Sequence, residues 1–527
     1  MESVDRFADQ EKALYLRSSA ITESMEPFMF GLHYLDVATL VLYLIGITII
    51  GLLASRGVKK SIDYFMGGRK FGKAVLIMHA FGTGTHTDQA VNVVGASYKL
   101  GLAGIWYAWL PLFVTPFYWI MMPLFRRMRY ITTGDFFDER FGMGLGRVYS
   151  LFGIFYYILS MGIMLEGTGK MASGVTGGAI SPEVCIIIMS AMFLFYGLLG
   201  GLQAAVATDF IQGIFIIILS FILWPFMLAQ LGGFSGMHDV LPIETFSLTI
   251  PGDPPDGYDR ITFAFVVILT INTIFNIPGQ PHVMEMGGSG KTEWEARVGF
   301  TYGNMVKRFC TIAWAFIGVG AIAIYPDLAD PELAFGQATR DLLPVGLVGI
   351  MLASMIAAVM SSCDSFMVDG SALFVENIYR PMFAKDKEDH HYLNVGRVAG
   401  VVMVIGGILI TELFDSVVDL WRFLQPMSAF WGIAVWGGII WRRANGYGAW
   451  AGVIGSVSIW AYCNYELGME LQDMIPWYLG GGIMLMVMTS KSTPEMAKPV
   501  LDKFYDFMHT PVGQEQDLID KGYELRD

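Results

Sequence analysis

Apolar runs of about 18 residues or more, the length a helix needs to cross a bilayer, recur along this chain. The first is "YLDVATLVLYLIGITIIGLLAS", from Tyr34, and the last is "IPWYLGGGIMLMVMTS", from Ile475. A soluble core has no place for so many. Only 15% of the 527 residues are charged, against about 25% in ordinary soluble domains. The chain reads as an all-α polytopic membrane protein. Thirteen spans are predicted, near 34–55, 73–99, 102–125, 147–172, 182–202, 204–230, 262–287, 299–325, 342–375, 395–414, 418–441, 447–465 and 474–492. The first 30 residues mix both charges and lack an apolar signal core, so no cleaved signal peptide is expected. Cys185, Cys310, Cys363 and Cys463 stand singly inside apolar runs, with neither disulfide nor metal spacing.

The loop charges fix an expected orientation. With the N-terminus outside, the inner loops collect Arg56, Lys59, Lys60, Arg69 and Lys70, then Arg126, Arg127 and Arg129, and later Lys291, Arg380, Arg442 and Arg443. The outer loops "GDPPDGYD", "YPDLADPE" and "YELGMELQD" are acidic. An odd number of spans then satisfies the positive-inside rule and leaves the C-terminus in the cytoplasm. The net charge of −13 comes from outer loops and tails, which argues against a nucleic-acid partner.

Two spans are interrupted. The second holds "HAFGTGTHTDQ", His79 to Gln89, where hydrocarbon should be. Irregular backbone at membrane depth is tolerated only against protein or a watery cavity. The seventh, "FAFVVILTINTIFNIPGQPHVMEMGG", carries Pro278 and Pro281, each of which removes a donor and disfavours helix before it. The two breaks lie five spans apart, the pattern of a transporter site between inverted repeats. This divides the chain into an extracellular N-terminal segment (1–33) and an extra first helix with an inner loop (34–72). A first five-helix repeat (73–231), an extracellular loop (232–261) and a second repeat (262–441) follow. Two extra helices (442–492) and a cytoplasmic tail (493–527) complete it.

Span nine crowds Ser361, Ser362, Asp364 and Ser365 into "VMSSCDSFM". Serines in such helices often bond back to their own backbone. Asp364 has no such shelter, and an ionisable group within a span is by default a functional hypothesis. Asp209 lies about five residues, or roughly 8 Å, inside span six. It reads either as an acid favoured by a helix N-terminus or as a partner of Asp364. Hydroxyls, carboxylates and the carbonyls freed at a helix break together suit a hard monovalent cation such as Na⁺.

Five stretches carry a family resemblance: "YFMGGRKFG", "GASYKLGL", "GGLQAAVATDFIQ", "AAVMSSCDSF" with "ENIYRP", and "GQPH". In these the chain resembles the sodium:solute symporter family, which uses the inverted-repeat fold of the bacterial leucine transporter. The resemblance implies thirteen spans around a 5+5 helix core. It implies a main sodium site from the backbone of Gly82, Thr85 and Ala358 and the hydroxyls of Ser361 and Ser362. Two-sodium members add an inner site, here Asp209, Asp364 and Ser365. Gln89 stands where sugar-carrying relatives bind substrate, but their glutamate in the next span is Ala108 here and their covering tyrosine is Asn276. "GQPH", with Gln280, looks more like the proline-carrying branch. Lys307, in "NMVKRFC", and Gln425, in "LWRFLQPMSAF", match substrate-contacting positions. Lys307 reads equally as the partner of a carboxylated solute or of a protein acid. Glu166 and Lys170 read first as an i,i+4 ion pair.

The expectation is a Na⁺-coupled symporter in the cell membrane, functional as a monomer and using no cofactor. It imports a small polar solute by alternating access, with an amino acid or carboxylate favoured. A sugar symporter of the same fold and a solute sensor on a transporter fold are the rivals. An enzyme is not expected, since the eight histidines are scattered.

Overall fold

The computed structural model describes residues 29–56, 61–250, 252–255, 257–413 and 417–525. Most of the N-terminal segment (1–28), and Lys59 and Lys60 of the first loop, lie outside the described residues. Among the described residues the regular structure is helical, apart from two isolated bridge pairs. The longer helices are numbered here in chain order, and short ones are left unnumbered.

The first span forms as α1, Tyr34–Ser55. Its Leu42, Ile45, Ile49 and Leu53 are exposed. That is a stable arrangement only where the solvent is lipid. Asp36, by contrast, is buried and accepts from the amides of Gly346 (2.8 Å) and Gly349 (2.7 Å). It thereby satisfies orphan donors at the start of a later helix, α11.

Span two is broken as expected, into α2 (Lys73–Thr83) and α3 (Thr87–Leu100). Span three departs from the expected helix over 102–125. Residues 101–112 form short 3₁₀ and single-turn pieces, and regular helix begins only with α4, Thr115–Met128. Gly101 has φ +62, and a Cβ on Gly104 would lie 2.3 Å from the nitrogen of Ser97. The chain here doubles back tightly onto α3.

The short α5 (Thr133–Phe141) opens on a capping box of Thr132 and Asp135, and α6 is Met143–Val175. Pro182–Phe221, α7, would be about 60 Å long if straight, twice a bilayer core. Gly201 breaks it at φ +52, ψ −147, separating the predicted spans five and six. A Cβ there would meet the Tyr64 carbonyl oxygen at 2.6 Å, so the break doubles as a packing contact.

Span seven becomes α8 (Phe263–Gly279) and α9 (Pro281–Gly288), bent by 62°. Then come α10 (Glu293–Ile324), α11 (Leu347–Ala372), α12 (Asp389–Thr411), α13 (Val417–Ile440), α14 (Gly446–Ala461), α15 (Leu471–Ser492) and α16 (Lys498–His509). Each predicted segment overlaps helix among the described residues, span three only over its second half. Eight described helices are long and apolar enough to cross a membrane alone, nine with the bent pair. The others are shorter, broken or less apolar.

Helix α11 is the axis of the bundle, buried along nearly its whole length and packed on α1, α2, α6, α7 and α12. Helix α10 lies against both halves of the first break, and α8 lies against α13. Small residues permit this closeness: a Cβ on Gly303 would come within 2.7 Å of the Ile77 carbonyl, and one on Gly318 within 2.5 Å of the Val94 carbonyl. The tail docks rather than hanging free. Arg129 donates to the Pro511 carbonyl (3.2 Å) and to Glu515 (2.9 Å), and Lys503 pairs with Glu139 (2.8 Å).

Candidate functional site

The first break centres on Gly84–His86, between the C-terminal turn of α2 and the N-terminal turn of α3. A helix leaves its last carbonyls without amide partners, and that end carries partial negative charge. The Ser362 hydroxyl of α11 reaches these carbonyls: 3.2 Å to Thr83 O, 3.4 Å to Gly82 O and 3.4 Å to its own Ala358 O. One hydroxyl thus stands among three carbonyl oxygens at long hydrogen-bond distances. The Thr85 hydroxyl is buried and has no partner among the described residues. Lys307 of α10 donates to the Gly84 carbonyl. Gly82, Ala358 and Ser362 therefore meet as the sequence suggested, with Thr85 one step along the same unwound backbone.

Ser361 does something else. Its hydroxyl donates to Asp209 of α7. Asp209 is fully buried, with His79 Nδ1 at 2.6 Å and the Thr83 hydroxyl at 3.4 Å. The same Thr83 hydroxyl donates to Ser365 at 3.3 Å. Ser361 and Thr83 so tie the two candidate cation groups into one polar layer across α2, α7 and α11. A Cβ on Gly82 would sit 2.7 Å from the Ser361 hydroxyl and 3.7 Å from Asp209 Cβ, so glycine is required for α2 to approach. Asp364 is buried on the side of α11 facing Gly197, at 3.6 Å from where that residue's Cβ would be. Its charge and that of Asp209 both act on Tyr43 of α1.

Above this layer lies a cavity of about 180 Å³. Gln89, Asn276, Gln280, Lys307 and Gln425, chosen from four separate stretches of sequence, all line it, as does Ala108. Asn276 ties three of these positions together: its amide donates to the Gln425 carbonyl (2.6 Å) and its oxygen accepts from Gln280 (2.6 Å). Gln89 contacts His86 at 3.1 Å. The N-termini of α3 and α9, at His86 and Gln280, both open on this cavity. Such termini favour negative charge.

Sequence reasoning missed His79 and Thr83, whereas His86 and Asp88 lie in the polar stretch it read as facing a central cavity, with no role assigned to either. His79 was legible by the rule that singles out Asp364, since it is an ionisable residue in an apolar run. Thr83 carried no signal beyond its place in the break. His86 and Asp88 pair with one another at the cavity edge. Lys170 also finds a different main partner: Glu332 lies at 2.6 Å and Glu166 only at 3.9 Å.

Comparison with known proteins bears on the family and the fold. The chain is 25% identical over 502 residues to the sodium/glucose cotransporter of Vibrio parahaemolyticus, covering 88% of this chain and 91% of that protein. It is 26% identical over 490 residues to the high-affinity proline transporter PutP of Bacillus subtilis (strain 168), covering 88% and 99%. Its structure resembles that of a Na⁺-coupled sialic acid symporter with a TM-score of 0.77 at 18% identity, covering 88% of this chain and 98% of that one. It also resembles Mhp1, a nucleobase-cation-symport-1 family transporter, with a TM-score of 0.57 at 11% identity, covering 84% and 98%. These likenesses show a leucine-transporter-like fold. The model of the sodium:solute symporter family matches residues 64–455, from the loop before the first break to beyond α13, and the chain belongs to that family.

Proposed function

We propose that the chain is a Na⁺-coupled symporter that imports a small polar organic solute by alternating access. The observation that carries this reading is the Ser362 hydroxyl held among the Gly82, Thr83 and Ala358 carbonyls. A Na⁺ ion wants such a shell of neutral oxygens, and the negative end of α2 adds to its attraction. The main site comprises Gly82, Thr85, Ala358, Ser361 and Ser362. One Na⁺ entering down an inside-negative potential of about 100 mV releases roughly 2.3 kcal/mol before its concentration gradient is counted.

A second Na⁺ sits deeper, on Asp209, Asp364 and Ser365. Two close carboxylates repel unless a cation or proton lies between them. The solute occupies the cavity of Gln89, Asn276, Gln280, Lys307 and Gln425. Lys307 and the two helix N-termini favour a carboxylate there, so an amino acid or carboxylate is preferred over a sugar. The absence of an acid at Ala108 points the same way. The N-terminus faces outward and the C-terminus lies in the cytoplasm, by the loop charges. The protein works as a monomer, with α1 and the helices after α13 flanking the core.

The test is radiotracer uptake into proteoliposomes with and without an inward Na⁺ gradient, after candidate solutes are ranked by thermal stabilisation in Na⁺ buffer. Na⁺-dependent accumulation of an amino acid or carboxylate supports the reading. Stabilisation and uptake by neutral sugars alone would reverse the solute assignment, and binding without uptake would favour a sensor.

A further inference from the structure

Beneath the cavity lies a carboxyl that none of the sites above employs. Glu285 of α9 is 3% exposed, and among the described residues both of its carboxylate oxygens lack a hydrogen-bond partner. Asp369 of α11 is 4% exposed; its Oδ1 likewise has none, while its Oδ2 accepts from Tyr157 at 3.4 Å. The two acids are brought level by the helices that carry them. Helix α11 starts against Asp36, at the beginning of α1, whereas α9 ends where Lys291 meets Phe71, beyond the end of α1. Both therefore run the same way. They touch where the His282 ring packs at a tilt against Phe366, with centroids 5.2 Å apart, and both residues line the cavity. Three residues further along each helix stand Glu285 and Asp369.

The titratable groups around Glu285 do not neutralise it. The charges that act on it are Asp369 from α11 and Asp209 from α7, both acids. Tyr157 comes from α6. Helix α4 turns Met122 and Phe125 toward Gly287 of α9, and its Arg126 donates to the Gly290 carbonyl (2.7 Å) beyond the end of α9. Helix α5 supplies the Thr133 hydroxyl to the Pro281 carbonyl. Helix α10, which also packs on α9, carries Lys307 and Arg308, which donate to the Gly84 and Ala108 carbonyls. On α9 itself the other titratable group is His282, whose charged neighbours are Lys307, His86 and His79. An ionised carboxylate sealed in protein at membrane depth without a donor or cation is prohibitively costly, and a second acid beside it compounds the cost.

We propose that Glu285, backed by Asp369, is an intramembrane proton-binding site on the inner half of the carrier, occupied while α9 and α11 are closed against each other. A neutral pair lets the two helices meet. Water entering from the end that carries Arg126 and Lys291 would solvate both carboxyls, take one proton from each as hydronium, and leave two like charges that hold the path apart. Proton occupancy then tracks closure of the inner path. The place of this step in a transport cycle rests on the symport reading; the protonation of Glu285 does not.

The test uses the full chain in lipid vesicles at neutral pH. Infrared spectra should show a carboxylic-acid C=O band that shifts when glutamate, not aspartate, is ¹³C-labelled. This arm needs no variant. The band should be missing in Glu285→Gln, a neutral isostere expected to fold, and should weaken on alkaline titration. Hydrogen exchange of the α9 peptide, corrected for its intrinsic pH dependence, should rise severalfold between neutral and alkaline pH in wild type and stay flat in Glu285→Gln. A wild type with no glutamate-derived acid band at neutral pH would overturn the proposal, as would equal bands in wild type and variant. Binding of ²²Na⁺ by the same vesicles keeps the two readings apart. A band without Na⁺ binding sinks the symport reading alone, and Na⁺ binding without the band sinks this inference alone.

Discussion

The two interrupted helices use the same device for different ends. At the second break the Ile274, Gly279 and Pro281 carbonyls each have a fixed side-chain donor. Pro278 deprives the Ile274 carbonyl of its amide, and the Trp436 indole donates to it at 2.8 Å. Tyr149 donates to the Gly279 carbonyl at 3.1 Å, and Thr133 to the Pro281 carbonyl at 3.0 Å. The partners come from α5, α6 and α13 and are fixed by packing. At the first break the Thr83 carbonyl meets Ser362 at 3.2 Å, the Gly82 carbonyl meets Ser362 at 3.4 Å and the Thr85 amide at 3.1 Å, and the Thr85 hydroxyl has no partner among the described residues. A cation can replace loose contacts of that kind, because it offers more than it displaces. The second break shapes a cavity wall. The first leaves oxygens available.

Glycine variants should give the largest effects, and of opposite kinds. Gly82→Ala drives a methyl to 2.7 Å from the Ser361 hydroxyl, in the polar layer. Saturable ²²Na⁺ binding should fall by about 100-fold, equivalent to about 2.7 kcal/mol, while the protein still purifies as a folded monomer. Gly279→Ala places a methyl 1.9 Å from the Ser428 carbonyl, where α8 meets α13. Overpacking of this sort costs about 1–3 kcal/mol or more, so its signature should be a lower melting temperature. The comparison breaks if both variants lose stability equally and neither changes Na⁺ affinity selectively.

Next in size is the number of ions. Asp364→Asn keeps the shape and one oxygen but removes a charge. The Na⁺-to-solute flux ratio, from reversal potentials, should fall from two to one, with some uptake remaining. A wild-type ratio of one, unchanged in the variant, would leave Asp364 as a structural acid.

What could be read from sequence follows from how local the signals are. Apolar length placed the spans, and Gly, Pro and polar residues inside apolar runs marked both breaks, because each of these is a property of a few neighbouring residues. The irregular stretch over 101–112 was not legible. Its cause is the close approach of Gly104 to Ser97, which depends on packing. The partners of single side chains were less legible still. Lys307 donates to the Gly84 carbonyl, Lys170 pairs chiefly with Glu332, and Asp209 gathers His79 and Thr83. Those pairings span roughly 130 to 220 positions of chain and exist only once the repeats have packed. Glu285, embedded in "HVMEMGG", is, like Asp364, an ionisable residue within a span, but its pairing with Asp369 depends on packing across the bundle.

A smaller effect is expected at the docked tail. Slight burial pushes the Glu515 carboxyl up, but the Gly513 amide and Arg129 pull it further down, so it ends below the usual glutamate range. Its folded pKa is depressed. The stabilisation is therefore full above the unfolded value of about 4.3 and is lost as pH falls through the folded one. Protease cleavage of the tail should accelerate only in that acid range, and Glu515→Gln should weaken the pH dependence, the rest being carried by Glu293, which accepts from the Val512 amide (3.0 Å). Cleavage that is fast at neutral pH would show that the tail is not held by this contact.

The central claim is that the first break holds Na⁺ and the second does not. Equilibrium ²²Na⁺ binding to the purified chain in lipid vesicles tests it directly, on wild type, Ser362→Ala and Tyr149→Phe. Loss of one oxygen ligand should weaken Na⁺ binding by about tenfold in Ser362→Ala, equivalent to about 1.4 kcal/mol. Tyr149→Phe should bind as wild type does and show only the stability loss of one hydrogen bond, about 1 kcal/mol. Unchanged Na⁺ affinity in Ser362→Ala, or a tenfold loss in Tyr149→Phe, would contradict the account.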